Sequence, residues 1–482
     1  MHKNQFLLTT QPIDLPDWKV CKVEEYKLFV HPEMSFSQVQ GKDCNIYLVG
    51  DVFSWKDPHL KNEDILGLMV GVSSFEELIS QSDKLCGNFV FIYSDSNALK
   101  LFHDCGGQYE VFYDSEFGCI GSQAKLLKKA CQLHCHTAKD PREYYDSAVF
   151  FSKKLFIGES TAWENIHHLL PNHYLDIRNK KRVRFFPMAS IKENELNSVA
   201  EKVAAMLKGF IRAISLRSPV AIGVTGGFDS RLLFLASLDI DAAYYVLQGV
   251  HMDNNHPDIQ LPQKLTKHYG KEFHVLEDAI VQPDDVDESY KLSIDFPRNL
   301  SYSLVHFSNH YLINGGISEV GRNCYGYFKR ASGADIAYLL GYGKDSFVGS
   351  EYDRWLKADD SFKEFGCNYL DMLYWEERVG VWQAKASSEA YALGTKVFVP
   401  FNCRDLILEL LSVDRKLRDY HLSELHKRIT DVLAEGDTSI TKLGYFSGNN
   451  PSKVRKIVAL KRLGLYNIYR SFALKNRSLG IN

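Results

Sequence analysis

The chain has 482 residues, of which 45% are hydrophobic, 13% aromatic and 24% charged. This composition is typical of a folded globular protein of roughly two to four domains, and it excludes a disordered, collagen-like or disulfide-stapled chain. The 57 Lys and Arg residues nearly balance the 60 Asp and Glu residues, so the net charge is only −3. Bulk charge therefore gives no reason to expect nucleic acid as the main partner.

The amino-terminal 20 residues lack the apolar core and small-residue cleavage site of a signal peptide, and no run of about 18 apolar residues occurs. The ten cysteines contain no CxxC pair, which indicates reduced thiols. These features predict a cytoplasmic protein. The cluster Cys131, His134, Cys135 and His136 has side chains of zinc-ligand type, but it follows a helical stretch and has no second cluster, so ordinary packing at a helix end is favoured.

The first 190 residues predict a β-rich layered domain. Its strands are short, rich in Val, Ile, Phe and Tyr, and separated by Gly, Asp and Ser: 45–53, 88–95, 98–104, 109–114 and 118–122. Intervening apolar periodicity predicts helices at 63–71, 74–86 and 124–130. Near residue 190 the apolar spacing changes to three and four residues, which divides the chain into domains 1–190 and 191–482.

From residue 218 buried strands alternate with helical stretches, a pattern that predicts a parallel sheet with crossover helices. Beyond about residue 350 long helices dominate. The last 41 residues, from Lys442, carry nine Lys and Arg residues and no Asp or Glu. A helical segment with a solvated basic face is the favoured interpretation of this stretch, and a surface for an anionic partner is the alternative.

The most informative stretch is Thr225-Gly-Gly-Phe-Asp-Ser230, where an apolar strand runs into a new helix. Gly226 and Gly227 allow backbone N–H groups to converge on an anion, and the helix N-terminus favours a phosphate. The hydroxyls of Thr225 and Ser230 are further donors, and Asp229 is a hard oxygen ligand suited to magnesium. The spacing is neither that of a Walker loop nor that of a dinucleotide fold.

This stretch resembles the SGGxDS loop of the N-type ATP pyrophosphatases, which split ATP between its α and β phosphates. Three further stretches follow in the order found in the asparagine synthetase family. They are His256-Pro-Asp258, then Asn314-Gly-Gly-Ile-Ser-Glu319 in place of SGEGADE, and finally Arg378 with Phe398-Val-Pro-Phe401 in place of the DR and PFLD landmarks. The resemblance covers nearly the whole chain and implies an α/β protein whose second domain is adenine nucleotide α-hydrolase-like, with a Rossmann-like parallel sheet.

The first domain resembles the glutamine amidotransferase half of this family, which has an Ntn-hydrolase-like αββα sandwich. The resemblance lies in LCGNF (85–89), HDCG (103–106), GSQAKL (121–126) and LLPNH (169–173). The nucleophile of that half is a cysteine at position 2, where this chain has His2. Cys21 is the nearest cysteine and is interpreted as ordinary. The glutamine-holding loops are replaced by Val49-Gly-Asp51 and Asn62-Glu-Asp64, so we expect a scaffold without glutaminase activity.

The resemblance therefore points to the branch of β-lactam synthetase and the lasso peptide cyclases. It implies an AMP-forming ligase that adenylates a carboxylate of a small molecule, peptide or sugar and joins it to a substrate amine or to ammonia. ATP is expected against Val224 and Val246, with its pyrophosphate held by residues 225–230, Arg231 and Gly315, and with magnesium on Asp229 and Glu319. Lys442 is the candidate for the family's catalytic lysine, with a solvated surface charge as the alternative. A homodimer is compatible with this family.

Three departures from the family leave positions open. Asn314–Glu319 is one residue shorter than SGEGADE, so either Ser318 or Glu319 takes the place of the metal-binding aspartate. Gly316 replaces the glutamate that follows SG, and Cys403 replaces the aspartate of PFLD. Glu376 or Glu377 is therefore the candidate that deprotonates an amine. Tyr325, Tyr327, Trp375 and Trp382 are candidates for an acceptor pocket, with core packing as the alternative.

Two other functions remain compatible with the loop. One is an RNA-modifying enzyme with the same pyrophosphatase loop, to which the basic tail would be relevant. The other is a nucleotide-binding scaffold without catalysis, because acidic positions of the family are altered.

Overall fold

A computed structural model describes residues 3–130, 143–281, 288–326, 331–357, 361–446, 451–466, 468–469 and 472. His2, the cluster Cys131–His136 and Tyr327 lie outside the described residues. Within these ranges no helix combines the length and apolar character needed to cross a membrane. Seven cysteines are free thiols, but Cys119 is disulfide-bonded, so the prediction of reduced thiols is wrong at Cys119.

The first domain contains two antiparallel six-stranded sheets, of strand order β10-β8-β9-β1-β3-β2 and β12-β11-β7-β6-β5-β4. In chain order the strands β1 to β12 are Phe6–Thr9, Lys19–Val23, Tyr26–Val30, Phe36–Gln40, Cys44–Phe53, Cys86–Asp95, Leu99–His103, Phe112–Asp114, Cys119–Gly121, Ile166–His168, His173–Asp176 and Lys181–Arg184. The helices of this domain are Asn62–Leu68, Phe75–Ser82, Ala124–Ala130 and Ala148–Lys153.

The alternation of side chains along these strands builds four layers. Phe6 and Leu8 of β1 face Val90 and Ile92 of β6 in an apolar core between the sheets. On the outer face of the first sheet, Leu7 packs against the helix Ala124–Ala130. The outer face of the second sheet packs on the helices Asn62–Leu68 and Phe75–Ser82. Because side chains alternate with a period of two, each strand supplies both a central and an outer layer.

The second domain is built on a parallel sheet of order β15-β14-β13-β18-β19. The five strands are β13 (Val220–Gly223), β14 (Ala242–Gln248), β15 (His274–Glu277), β18 (Tyr311–Ile313) and β19 (Val397–Phe398), and a separate two-stranded sheet pairs β16 (Ile280–Val281) with β17 (Leu300–Ser301). Both faces of β13 are buried, since Ala221 and Ile222 enter different apolar clusters. This is the environment expected for a central parallel strand.

Helices surround this sheet and form the rest of the domain. They are Leu196–Ser215, Phe228–Ala236, Pro257–His268, Glu288–Ser293, Tyr302–His306, Gly333–Leu339, Ser346–Lys357, Ser361–Glu364, Tyr369–Leu373, Ala384–Ala392, Arg404–Leu411, Glu424–Leu433, Thr438–Lys442 and Pro451–Arg462. A 3-10 turn covers Ser318–Arg322, and a π-helix covers Tyr374–Gln383. The domain boundary predicted near residue 190 falls between β12 and the helix Leu196–Ser215.

The predicted strands of the first domain are present, but three of the five are shorter than predicted, since Leu99–His103, Phe112–Asp114 and Cys119–Gly121 each lie within a longer predicted range. The strand expected at 109–114 begins only at Phe112. The preceding residues form a turn around the buried Asp104, whose carboxylate accepts the backbone N–H of Gln108 at 2.8 Å and of Tyr109 at 2.9 Å. Strands β1 to β4 were not predicted. Their strand character comes from pairing with distant segments, as when β1 pairs with both β3 and β9.

A buried ion pair joins β5 of the first domain to the parallel sheet of the second domain. Nζ of Lys396 lies 2.6 Å from Oδ2 of Asp51, and both side chains are largely buried. Lys396 directly precedes β19, so this contact ties the first domain to the edge of the parallel sheet. Burial raises the pKa of Asp51, but the adjacent Lys396 outweighs it and the net pKa is lowered. The carboxylate is therefore ionised and paired at neutral pH.

We expect Asp51→Ala to lower the free energy of unfolding by about 3 to 5 kcal/mol, because it leaves the Lys396 ammonium buried without its partner. Urea denaturation at pH 7 measures this loss. The matched control is Glu116→Ala, which removes the exposed ion pair with Lys180 and should change stability by at most about 1 kcal/mol. Equal losses in the two variants would contradict a stabilising role for the buried pair.

Candidate functional site

The loop between β13 and the helix Phe228–Ala236 is held in shape by its own polar groups. Oγ of Ser230 accepts the Thr225 N–H at 3.0 Å and lies 3.0 Å from Oγ1 of Thr225. Oγ1 of Thr225 also accepts the Gly227 N–H at 3.3 Å. Because the N-cap of the helix is Gly227, no side chain of the cap residue covers the first amides. These amides and the helix dipole make the loop suited to an anion.

One amide of the loop is already paired with a carboxylate. The Gly226 N–H donates to Oδ1 of Asp258 at 2.8 Å, and Asp258 stands in the first turn of the helix Pro257–His268. An anion that used this amide would first have to displace the Asp258 side chain. The His256-Pro-Asp258 stretch therefore lies against the loop.

Asp229 faces Ser318 and Arg322 across the ends of two neighbouring strands. Strands β13 and β18 are parallel neighbours, so the segments that follow them meet at one edge of the sheet. The Ser318 hydroxyl donates to Oδ1 of Asp229, and Nη1 of Arg322 lies 2.8 Å from Oδ2. A side chain at Gly315 would bring its Cβ to 2.9 Å from Cβ of Asp229. Glycine at 315 permits this close approach.

Arg322 lies between the two acidic side chains that the sequence assigns to a metal. Its Nη1 is 2.8 Å from Asp229 and 3.9 Å from Oε1 of Glu319. The Tyr374 hydroxyl donates to the other oxygen of Glu319. Burial, followed by the charge of Asp229, raises the pKa of Glu319. The guanidinium is the charge that offsets these carboxylates, and sequence analysis did not select it.

The guanidinium is fixed from all sides. Nη2 of Arg322 donates to the Tyr420 carbonyl at 2.8 Å and Nε donates to Oγ of Ser423 at 3.3 Å. Its carbon lies 5.0 Å from the centre of the Phe228 ring and 4.4 Å from that of Tyr420. A magnesium ion shared by Asp229 and Glu319 would need the place that Arg322 takes, so this arrangement does not fit such a metal. No group of three or more metal-ligating side chains occurs within the ranges that the structure describes.

The arrangement resolves the choice between Ser318 and Glu319 as the residue beside Asp229. Ser318 is fully buried and bonds Asp229 directly, whereas Glu319 reaches it only through Arg322. His426 lies on the same carboxylate, with Nε2 3.5 Å from Oδ1 of Asp229. Burial lowers the pKa of His426 to about 3, so the imidazole is neutral at pH 7. The cluster around Asp229 therefore contains one cation, Arg322, and no second positive charge from the imidazole.

Arg231 does not point toward an anion in the loop, contrary to the sequence prediction. It is 1% exposed, and it donates to the carbonyl groups of Ile440 and Gly444. Its guanidinium carbon lies 3.9 Å from the centre of the Tyr445 ring. A buried arginine with these partners fastens the later chain segment to the helix Phe228–Ala236. Burial lowers the pKa of Arg231.

This fastened segment, residues 440–446, closes one side of the loop. The Phe446 N–H donates to the Gly226 carbonyl at 2.8 Å, and the rings of Phe228 and Tyr445 stack with centres 4.0 Å apart. Lys442 belongs to the segment and is exposed. Lys442 thus lies four residues before Phe446, whose N–H donates to the glycine loop.

The other predicted side chains divide into core and cavity positions. Val224 and Val246 are buried, with 0% and 3% of their surface exposed, so their side chains belong to the core beneath the strand ends. Glu376 is 0% exposed, and its carboxylate is paired with Arg184 and bonded by Asn172 and Trp355. Trp375 is also 0% exposed and donates to the Cys105 carbonyl at 2.6 Å. Glu376 and Trp375 are therefore structural.

Glu377 has a different environment from its neighbour. Oε2 accepts the Gly158 N–H at 3.2 Å, while Oε1 has no hydrogen-bond partner in the described structure. Burial raises the pKa of Glu377 to about 8. It lines a cavity together with Trp382, whereas Tyr325 packs with its ring centre 5.3 Å from that of Tyr374. Of the two candidate bases, only Glu377 has an oxygen available for a substrate.

Cys21 lacks the features of an activated nucleophile. It lies on β2, where its thiol donates to the Gln38 side chain at 3.1 Å. Burial raises the pKa of this thiol, whereas a nucleophilic cysteine needs a lowered pKa. The interpretation of Cys21 as an ordinary cysteine agrees with these contacts.

No family model and no curated protein matches the chain. Among solved structures it is similar to the allosteric regulatory enzyme of purine biosynthesis, with a TM-score of 0.24, 10% identity, and coverage of 60% of this chain and 71% of that chain. It is also similar to glutamine phosphoribosylpyrophosphate amidotransferase from B. subtilis, with a TM-score of 0.22, 9% identity, and coverage of 67% and 71%. Because both TM-scores are far below 0.5, these similarities carry no argument about the fold, which is defined by the strand order described above.

We expect Arg322→Met to lower the free energy of unfolding by about 3 to 5 kcal/mol at pH 7.5, because Asp229 and Glu319 lose the cation between them. The raised pKa of Glu319 means that its charged form is unfavourable in the folded state, so stability falls as pH rises and recovers as pH falls. The loss should therefore be smaller at pH 5. Urea denaturation at both pH values measures it.

The control for this variant is Lys180→Met, which removes a lysine whose side chain is 57% exposed and whose partner Glu116 is 82% exposed. It should cost at most about 1 kcal/mol at either pH. A loss in Arg322→Met that is the same at pH 5 and pH 7.5 would contradict the assigned charge balance.

Proposed function

We propose that the chain is an ATP-dependent, AMP-forming amide synthetase of the asparagine synthetase type, whose amino-terminal domain has no glutaminase activity. The observation that carries the proposal is the meeting of the glycine loop, Asp229 and Ser318 at the carboxyl edge of a parallel sheet. Ligands of open α/β sheets bind at this edge. The order of the family-like stretches along the chain supports the same conclusion.

In the proposed reaction a substrate carboxylate oxygen attacks the α-phosphorus of ATP. The bond to the oxygen that bridges the α and β phosphorus atoms breaks, and pyrophosphate leaves with that electron pair. An amine or ammonia then attacks the acyl carbon, AMP leaves, and the proton of the amine goes to a base. Atoms and charges balance without a redox partner.

The loop residues have the chemistry for the first step. The amides of Phe228 and Asp229 and the hydroxyls of Thr225 and Ser230 are donors for the departing pyrophosphate, and the Gly226 amide joins them only if Asp258 is displaced. Arg322 supplies a fixed positive charge beside Asp229. MgATP is the substrate form in this proposal, and no step requires magnesium to be held by Asp229 and Glu319. Gly315 allows Asp229 to pack closely against the end of β18, which places its carboxylate at the sheet edge.

Glu377 is proposed as the base for the amine. A pKa of about 8 is close to the working pH, which is the condition for an efficient general base. Its Oε1 has no partner in the described structure, and the ionised fraction of Glu377, which grows as the pH approaches 8, can accept the proton. Glu319, bonded to Tyr374 and near Arg322, is proposed to position that arginine.

A nucleotide-binding scaffold without catalysis is the second candidate. The arrangement that favours it is the pairing of the Gly226 amide with Asp258 and of Asp229 with Arg322, which satisfies both groups without a ligand. The two candidates differ in a measurable product, because only the synthetase forms AMP and pyrophosphate.

We expect the full chain to bind MgATP and Ser230→Ala to weaken this binding about tenfold, because the variant loses a phosphate donor and the bonds that shape the loop. Isothermal titration measures the affinity. The control is Ser439→Ala, which removes an exposed hydroxyl that donates to the Asp437 carboxylate at the start of the helix Thr438–Lys442. Absence of MgATP binding to the unmodified chain would contradict both candidates, and binding without AMP formation from any carboxylate and amine would leave the scaffold.

We expect Lys442→Ala to lower the rate of AMP formation by about 10² to 10³ with little change in the affinity for ATP, because a cation near the reacting phosphorus stabilises the transition state. AMP release under saturating ATP measures the rate. Lys427→Ala, which removes an exposed lysine paired with Glu424, is the matched control. An unchanged rate in Lys442→Ala would assign this lysine to the solvated surface.

A further inference from the structure

A cavity of about 290 Å³ lies at the π-helix, one turn beyond the residue that contacts Glu319. Tyr374, at the start of this helix, donates to Glu319, and Glu377 and Arg378 of the next turn line the cavity. Lys153 and Arg298 reach it from other elements, and Trp382 forms part of its wall. Three basic side chains thus surround one small space.

Arg378 has no carboxylate partner in the described part of the chain. Its guanidinium carbon stacks 3.7 Å from the centre of the Trp382 ring, and its N–H groups make no hydrogen bond to another residue that the structure describes. Its charge also acts on Glu319, where it opposes the rise in pKa. Arg298, in contrast, is held by Glu389, with Nε and Nη2 at 2.9 and 2.8 Å from Oε2. Arg378 is therefore the strongest unmatched hydrogen-bond donor of the cavity, and guanidinium groups bind carboxylates in a bidentate manner.

Lys153 adds a second positive charge, and no carboxylate among the described residues forms an ion pair with it. Its Nζ donates to the Leu340 carbonyl at 3.3 Å and lies 4.7 Å from the centre of the Tyr342 ring. Burial and then the charge of Arg378 lower the pKa of Lys153. Two cations that repel each other within one cavity are stabilised when an anion binds between them.

The acid of the cavity does not supply that negative charge. Glu377 is 5% exposed, its Oε1 has no partner, and burial raises its pKa to about 8. It is therefore mostly protonated at pH 7, as a neutral carboxyl group that adds a hydrogen-bond donor. Buried polar atoms are usually hydrogen-bonded, so this oxygen is a position at which a ligand in the cavity can make a hydrogen bond.

We propose that this cavity binds the carboxylate of a small organic acid, which Arg378 and Lys153 hold as an ion pair while Trp382 covers its apolar part. Binding of an organic acid in this cavity does not depend on the proposed function, but the identification of that acid as a substrate of the synthetase does. If it is the substrate, its carboxylate is held at Arg378, one helical turn beyond Tyr374, which contacts Glu319. Arg378 and Lys153 then determine substrate specificity, and a neutral molecule of the same shape is rejected.

Titration calorimetry with the full chain, without nucleotide, tests the proposal. The probes are phenylacetate and its uncharged analogue phenylacetamide, which differ only in the acid group. We expect phenylacetate to bind at least tenfold more tightly than phenylacetamide, and Arg378→Met and Lys153→Met each to weaken phenylacetate binding at least tenfold. Arg354→Met, which removes an arginine of a different cavity, should leave the affinity unchanged.

Thermal unfolding of each variant shows whether it is folded, and Lys153→Met gives a second test if Arg378→Met unfolds. Three results would overturn the proposal: equal affinity for phenylacetate and phenylacetamide, no binding of either probe, or unchanged affinity in both folded variants. Inorganic phosphate that bound as tightly as phenylacetate would overturn the assignment to a carboxylate. Because this titration contains no ATP, absence of phenylacetate binding would reject the acid site without testing the proposed synthetase. Phenylacetate binding to a chain that does not bind ATP would support the acid site and reject the synthetase.

Discussion

The guanidinium of Arg322 is the group on which the candidate site depends. Asp229 enters from the helix after the glycine loop, Glu319 from the 3-10 turn after β18, and both carboxylates would repel each other without the cation between them. The same side chain bonds Tyr420 and Ser423, so it connects the sheet edge with the helical half. A permanent organic cation thus stands where the family resemblance leads one to expect a metal ion, and it offsets one of the two negative charges.

The sequence predicted the loop well because its chemistry is local. Two glycines after a buried strand and before a helix define a backbone shape without reference to other parts of the chain, and parallel neighbours bring Asp229 and Ser318 together once β18 is recognised. Arg322 was missed for the opposite reason. Its partners come from residues 229, 319, 420 and 423, and no spacing along the chain links an arginine to carboxylates so far away. Tertiary contacts decide its role.

Neighbours in sequence also proved to be poor guides to side-chain roles. Glu376 and Glu377 are adjacent, but one is fully paired with Arg184 and the other has an oxygen without a partner. The π-helix turns consecutive residues to different surroundings, which a regular helical projection does not predict. Arg231 likewise follows the phosphate-type loop directly, but its helix turns it toward residues 440–444. The sequence predicts which face of a helix a residue occupies only where the apolar residues recur at regular helical spacing.

The segment that contains Phe446 reaches the glycine loop through main-chain atoms, with the amide of residue 446 on the carbonyl of residue 226. Such a link is indifferent to the identity of the side chain at 446, and only an imino acid, which lacks the N–H, would cut it. A shift of the glycine loop would therefore also move the backbone at residue 446, more than 200 residues later in the chain. Residues 440–446 therefore move with the glycine loop, to which they are joined by this amide and, through its helix, by the Phe228–Tyr445 stack and by Arg231.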